Sequence, residues 1–206
     1  MNCVVLRYKI KELLTVLNLR YMPPAAIKSV RDLIFYQYAK IIAESSGFGK
    51  KNFGFIMSKC NQLKSGDIHW STSVREWLLE HENPNICIYC GAVTDLTTEH
   101  ILARSRGGED TPDNAVRVCK SCNSSKGSKR LYEWKGLNSK DQHHRIAEGK
   151  YLKYLYVLHE KRGSLQVDSV AELCGNCDMS ARCSEENSVG KLSVYCVEGC
   201  FRKNQN

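Results

Sequence analysis

Residues 87–134 read CIYCGAVTDLTTEHILARSRGGEDTPDNAVRVCKSCNSSKGSKRLYEW. Two Cys-x-x-Cys pairs, Cys87/Cys90 and Cys119/Cys122, bracket a Glu99-His100 dipeptide, with Asn114 ahead of the second pair and Asn123 directly after it. Two such pairs at this separation are a four-thiolate zinc signature. Two residues between paired cysteines let one tight turn aim both sulfurs at a single ion. The 28 residues between Cys90 and Cys119 suffice for a β-hairpin that returns the second turn beside the first. Four cysteines close the coordination shell, so this zinc is expected to be structural and to stand in for a large core. A plain zinc ribbon is the alternative on spacing alone; a redox role lacks the βαβ context it needs.

Between the pairs lie side chains suited to phosphodiester hydrolysis, which needs an activated water and a cation at the phosphate. An imidazole such as His100 takes a proton from water near neutral pH. Oxygens of a carboxylate and an amide, here Glu99 and Asn123, suit Mg²⁺.

This arrangement resembles the HNH endonuclease family, over about 50 of the 206 residues. The resemblance implies an α+β chain: a ββα-metal HNH module on a four-cysteine zinc frame, with a helical N-terminal region and a cysteine-rich C-terminal extension. Residues 97–102 then read as the first strand, 104–108 as the loop, 116–118 as the second strand and 123–134 as the helix. The turn from Asp110 to Asp113 leads into the middle asparagine. By resemblance His100 is the general base, Glu99 and Asn123 hold Mg²⁺ or Mn²⁺, and Asn114 pins the hairpin and orients His100. Arg104, Arg106, Lys126, Lys129 and Arg130 are expected to meet nucleic acid. The final position is Asn123 where many members have histidine, and Glu99 stands where many have aspartate. The asparagine form suits Mg²⁺ or Mn²⁺ better than a softer metal. In a strand Glu99 and His100 project to opposite faces, so a bulge or a strand end has to bring both to one phosphate.

A net charge of +8 fits a polyanionic partner. Its distribution says more: Lys120, Lys126, Lys129, Arg130, Lys135 and Lys140 crowd one segment with Glu133 alone opposing them. The expected partner is DNA, with RNA cleavage and non-catalytic nucleic-acid binding as alternatives. No apolar run reaches the roughly 18 to 20 residues of a bilayer span, so no membrane partner is expected. The start, MNCVVLRYKIKELL, lacks the apolar core of a signal peptide. A cytoplasmic location follows as an expectation, and there 11 cysteines favour metal over disulfides.

The division expected is a helical region at 1–82, the nuclease module at 83–136, and a helix plus cysteine-rich tail at 137–206. Apolar residues recur at helical intervals over 4–19 and from Ala25 to about Ser46, with Pro23-Pro24 between. A short helix is expected at 56–63, another after a Ser73/Glu76 capping box, and a long one from about 139 to 162 ending at Gly163. In the long helix Tyr151, Leu152, Tyr154, Leu155, Val157 and Leu158 are expected in the core. His69, His81, His143, His144 and His159 are read as bystanders, and Cys3 and Cys60 as small buried apolar residues. In the tail, Cys174, Cys177, Cys183 and Cys196 are expected to hold a second zinc or an iron–sulfur cluster, with Cys200 left over.

Overall fold

The computed structural model describes residues 23–49, 52–70, 82, 84–135, 142–185 and 190–203, with the backbone alone at 142–144 and 185. The helices expected at 4–19 and after Ser73 lie outside these residues, as do Cys3, His81, Lys140 and the side chains of His143 and His144. Seven α-helices and two strands are found among the described residues: α1 (Val30–Ser45), α2 (Phe53–Ser65), β1 (Leu96–His100), β2 (Ala115–Cys119), α3 (Lys120–Lys126), α4 (Leu131–Lys135), α5 (Gln142–Lys161), α6 (Val170–Gly175) and α7 (Ser180–Glu185). Single 3₁₀ turns occupy Arg104–Arg106 and Val194–Val197. The class is α+β, a mostly helical chain with one two-stranded antiparallel sheet. No helix of the described residues is long and apolar enough to cross a membrane.

α1 is buried around almost its whole circumference, so it runs inside the core. It packs against α2, α5 and the 194–197 turn. Its start falls at Val30 because Ile27 N–H closes a turn onto Pro24 and the Ser29 hydroxyl accepts from Asp32 N–H at 3.2 Å. The next free donors, Val30 and Arg31 N–H, go to the carbonyls of Val167 and Leu165 beyond α5. Asn52 caps α2, which stops at Gly66 with φ +83°. Lys64 on α2 pairs with Asp32 on α1 at 2.8 Å. Phe35, Trp70 and Tyr156 join α1 to α5 through ring contacts of 4.8–5.6 Å between centroids.

The strand readings hold to within a residue or two. β1 and β2 pair without a bulge, from Leu96 opposite Cys119 to His100 opposite Ala115. Val116 and Val118 face inward and Arg117 outward, the alternation a half-buried strand requires.

The helix expected over 123–134 is two helices. α3 begins directly after β2 because the second cysteine pair needs a helical turn: Cys119 Sγ caps it, accepting from Cys122 N–H at 3.4 Å. α3 then stops at Gly127, whose φ of +50° breaks the chain direction before α4. α5 ends at Gly163 (φ +67°) as the periodicity predicts. Of its expected core residues, Val157 is 43% exposed, on the outer side of the helix, while the neighbouring Tyr151, Leu152, Tyr154, Leu155 and Leu158 are buried.

Candidate functional site

The two cysteine pairs meet. The sulfurs of Cys87, Cys90, Cys119 and Cys122 all lie within 4.8 Å of one another, and Cys90 and Cys119 are 3.8 Å apart. A tetrahedron with Zn–S bonds of about 2.3 Å has edges near 3.8 Å, so the donor set and its spacing fit zinc. The first turn is closed by Gly91 N–H on the Cys87 carbonyl at 2.8 Å, with Gly91 at φ +76°. Burial pushes the Cys90 and Cys122 thiols up, whereas the Cys122 N–H draws Cys119 down.

Tyr89, inside the first pair, connects this frame to the Glu-His dipeptide. Its hydroxyl donates to Glu99 Oε1 at 2.7 Å. Lys126 of α3 reaches the same oxygen at 3.3 Å and donates to the His100 carbonyl at 3.1 Å. Glu99 is 8% and Lys126 1% exposed. Burial pushes the Glu99 carboxyl up and the Lys126 amine down, and each is pulled back toward its charged form by the other. Glu99 therefore points inward while the adjacent His100, at the last position of β1, points out. The register runs unbroken, so no bulge alters the strand alternation that sends the two side chains to opposite faces.

Asn114 is wholly buried and holds the intervening loop by its backbone. Its Oδ1 accepts from Leu102 N–H at 2.9 Å, and its Nδ2 donates to the carbonyls of Leu102 and Glu109 at 3.0 and 2.7 Å. Gly108 makes that packing possible, since a Cβ there would overlap the Leu102 carbonyl and press on Asn114 Nδ2. The loop is also tied to α5: Tyr154 Oη accepts from Glu109 N–H at 2.7 Å, and Lys161 pairs with the Glu109 carboxylate at 2.8 Å. Next in the chain is Asp110, whose Oδ1 sits 3.0 Å from His100 Nε2. A carboxylate accepts only, so Nε2 carries the proton in this contact. The sequence presents Asp110 as a turn residue; that it faces His100 is set by the path of the loop between them.

Part of the expected basic surface is interior. Arg106, Lys126 and Arg130 are buried, and their charges are met within the fold, so their expected contact with nucleic acid gives way to internal ion pairing. Arg130, 1% exposed, pairs with Asp178 and with Glu133 (3.0 Å), and donates to the carbonyls of Glu198, Gly199 and Phe201. Arg106 donates to the Ser128 carbonyl at 2.6 Å and pairs with Asp178 and Glu133. Their carboxylate partners come partly from 48 and 72 residues away, beyond the reach of local sequence reading. Arg104 and Lys129 are exposed. Asn123 is half-buried on α3, one turn before Lys126 and so on the side of the helix that faces β1.

Buried Glu198 completes the link to the tail. It accepts from the N–H groups of Tyr132 and Glu133 at 3.1 and 2.8 Å, capping α4 from a distance, and from Tyr151 Oη at 2.9 Å. Desolvation pushes its carboxyl up to about 7, against the pull of Arg130 and the three donors. Cys174, Cys177, Cys183 and Cys196 lie near enough in the tail for their charges to interact, but among the described residues only Cys87, Cys90, Cys119 and Cys122 gather ligand atoms within 4.8 Å of one another. Cys60 is buried as expected.

No curated protein matches the chain, and no solved structure does. Residues 87–132 match the family model described as HNH endonuclease. The stretch that matches this family model is the one that gathers the four thiols and carries Glu99-His100 at the end of β1.

Proposed function

We propose that the protein is a metal-dependent endonuclease that hydrolyses DNA phosphodiester bonds, leaving 5′-phosphate and 3′-hydroxyl ends. The family of residues 87–132 suggests nuclease action in general. The observation that carries the finer reading is the outward imidazole of His100, held at a strand end with its Nε2 on Asp110. With the proton on Nε2, Nδ1 is the free base that takes a proton from the attacking water. Lys126, on the His100 carbonyl, and Asn114, on the following loop, keep that ring in place.

Glu99 and Asn123 offer the oxygens for a divalent cation, Mg²⁺ or Mn²⁺, which when bound stabilises charge on the phosphate and on the departing oxygen. Both described contacts of the Glu99 carboxylate fall on Oε1, leaving Oε2 for that purpose. Paired with Lys126, Glu99 adds little net charge, so the substrate phosphate supplies most of the attraction. Arg104 and Lys129, both exposed, serve the nucleic-acid backbone. The Cys87, Cys90, Cys119 and Cys122 thiolates hold a structural zinc. A reducing, cytoplasmic setting suits these thiols. The division at 82/83 and 136/137 describes this organisation, with both flanks supporting the nuclease module.

The test is cleavage of supercoiled plasmid with Mg²⁺, Mn²⁺ or EDTA. Cleavage is expected with either metal, none with EDTA, and a loss of roughly 10²-fold or more in His100→Ala with zinc retained. Cys87→Ser is expected instead to release zinc and unfold the module. Cleavage that survives His100→Ala removes the assigned base. Absence of cleavage with salt-sensitive DNA binding by both proteins points to a non-catalytic module, and cleavage of RNA alone to a ribonuclease.

A further inference from the structure

The tail carries five cysteines, and the fold sorts them. Cys174, Cys177, Cys183 and Cys196 each lie close enough to the other three for their charges to interact. Cys200 is turned toward Arg162, whose Nη1 approaches its sulfur at 3.9 Å. The four come from four pieces of backbone: α6 (Cys174), the turn after it (Cys177), α7 (Cys183) and the 194–197 turn (Cys196).

Two of these pieces are shaped around a sulfur. Cys177 Sγ accepts from Met179 N–H at 3.3 Å. Gly199 leaves room for the same sulfur, which a Cβ at that position would overlap. Ser193 Oγ lies 3.9 Å from Cys196 Sγ. Arg202 fastens the Cys174–Cys177 turn from outside, donating to the carbonyls of Gly175 and Asn176 at 2.7 and 3.0 Å. N–H groups aimed at thiolate sulfurs are the usual surroundings of a metal-bound thiolate.

The spacing separates this site from the first. A single zinc draws four sulfurs to edges of about 3.8 Å, the separation of Cys90 and Cys119. Among the described residues, the tail sulfurs do not gather within 4.8 Å of one another as that group does. Four thiolates on a many-atom cluster attach to different iron atoms and are spread accordingly.

We propose that Cys174, Cys177, Cys183 and Cys196 hold an iron–sulfur cluster, a second metal centre distinct from the zinc frame. The four thiols bind iron as thiolates and give their protons to solvent; iron and sulfide are the co-reactants of assembly. The cluster ties together the segment that supplies Asp178, Glu198 and the carbonyls gripping Arg130, and so fixes the tail against the nuclease module.

The test is iron, acid-labile sulfide and zinc analysis, with the visible spectrum, of the full chain purified without oxygen. Expected are one zinc per chain, iron and sulfide in equal amounts, and broad visible absorption. Cys183→Ser and Cys196→Ser should lose at least tenfold in iron and absorption while keeping the zinc, and Cys200→Ser should keep both. Two zinc ions per chain without iron, or one zinc and nothing more, overturns the proposal. Should the serine variants fail to accumulate, chelated wild-type protein is given Fe²⁺ and sulfide. Return of the visible absorption supports the cluster, and uptake of a second zinc alone overturns it. No step reads DNA cleavage, so the nuclease proposal stands or falls separately.

Discussion

The Lys126 ammonium lies 3.3 Å from the Glu99 carboxylate, with both side chains buried, and the same ammonium holds the carbonyl of His100. One lysine on α3 thus fixes both halves of the Glu-His dipeptide from behind. Removing a single partner of a buried pair leaves an uncompensated charge, which costs about 3–5 kcal/mol. Lys126→Met is expected to lose stability on that scale in urea unfolding, and Glu99→Gln with Lys126→Met to lose less than the two single changes summed. A Lys126→Met protein as stable as the wild type would falsify this account.

The loop after His100 rests on Asn114 and on the absence of a side chain at Gly108. Asn114→Ala strands the N–H and carbonyl of Leu102 and the carbonyl of Glu109, and each buried orphan costs about 1–3 kcal/mol. Gly108→Ala drives a methyl into the Leu102 carbonyl. Both variants are expected to keep the zinc stoichiometry of the wild type while the loop loosens. The measurement is amide hydrogen exchange, where protection at Leu102 should fall first. Unchanged exchange there in both variants would remove the loop-pinning role.

Much of this region was legible because its chemistry is local. Four cysteines at two-residue spacing fix where the chain turns, and alternation fixes which face of β2 is buried. The separation of α3 from α4 depends on the backbone angle at Gly127, which composition does not announce. The basic stripe misled for a physical reason. Arg106 and Arg130 look like surface charge until Asp178 and Glu198, far along the chain, arrive beside them. Val157 fits a helical apolar pattern, yet it falls on the outer side of α5. The Asp110–His100 contact needed the loop's path, which Asn114, Gly108 and Tyr154 jointly determine.

Arg130 is the bolt between the module and the tail. Its guanidinium meets two carboxylates and three carbonyls, so Arg130→Met would strand buried acceptors on both sides. The expected result is a loss of about 3–5 kcal/mol together with faster proteolysis between 176 and 203. Arg130→Lys should be nearly as damaging, since an ammonium does not span that set of acceptors. A stable Arg130→Met protein with a protected tail would show that the apolar contacts of Phe201 and Tyr195 suffice.

His159 gives the fold a dependence on acid. It is wholly buried, its Nε2 donates to the Val197 carbonyl at 2.8 Å, and its Nδ1 accepts from the Ser164 hydroxyl at 2.8 Å. Burial, with the nearby Arg162 cation adding to it, holds its pKa below the ordinary 6.5. In the unfolded chain the ring takes a proton near 6.5, while in the fold it resists until lower pH. The stability contributed by neutral His159 is therefore fully present above about 6.5 and is lost as pH falls through the folded value. The slope from one such group is at most about 1.4 kcal/mol per pH unit. His159→Gln, which keeps a donor and an acceptor but does not titrate, isolates the effect from the carboxylates. Urea unfolding at about pH 7.5 should find the variant less stable, and the gap should shrink or reverse as the buffer is taken below about 6. A gap that stays constant across that range would mean that the ring carries the same charge in both states.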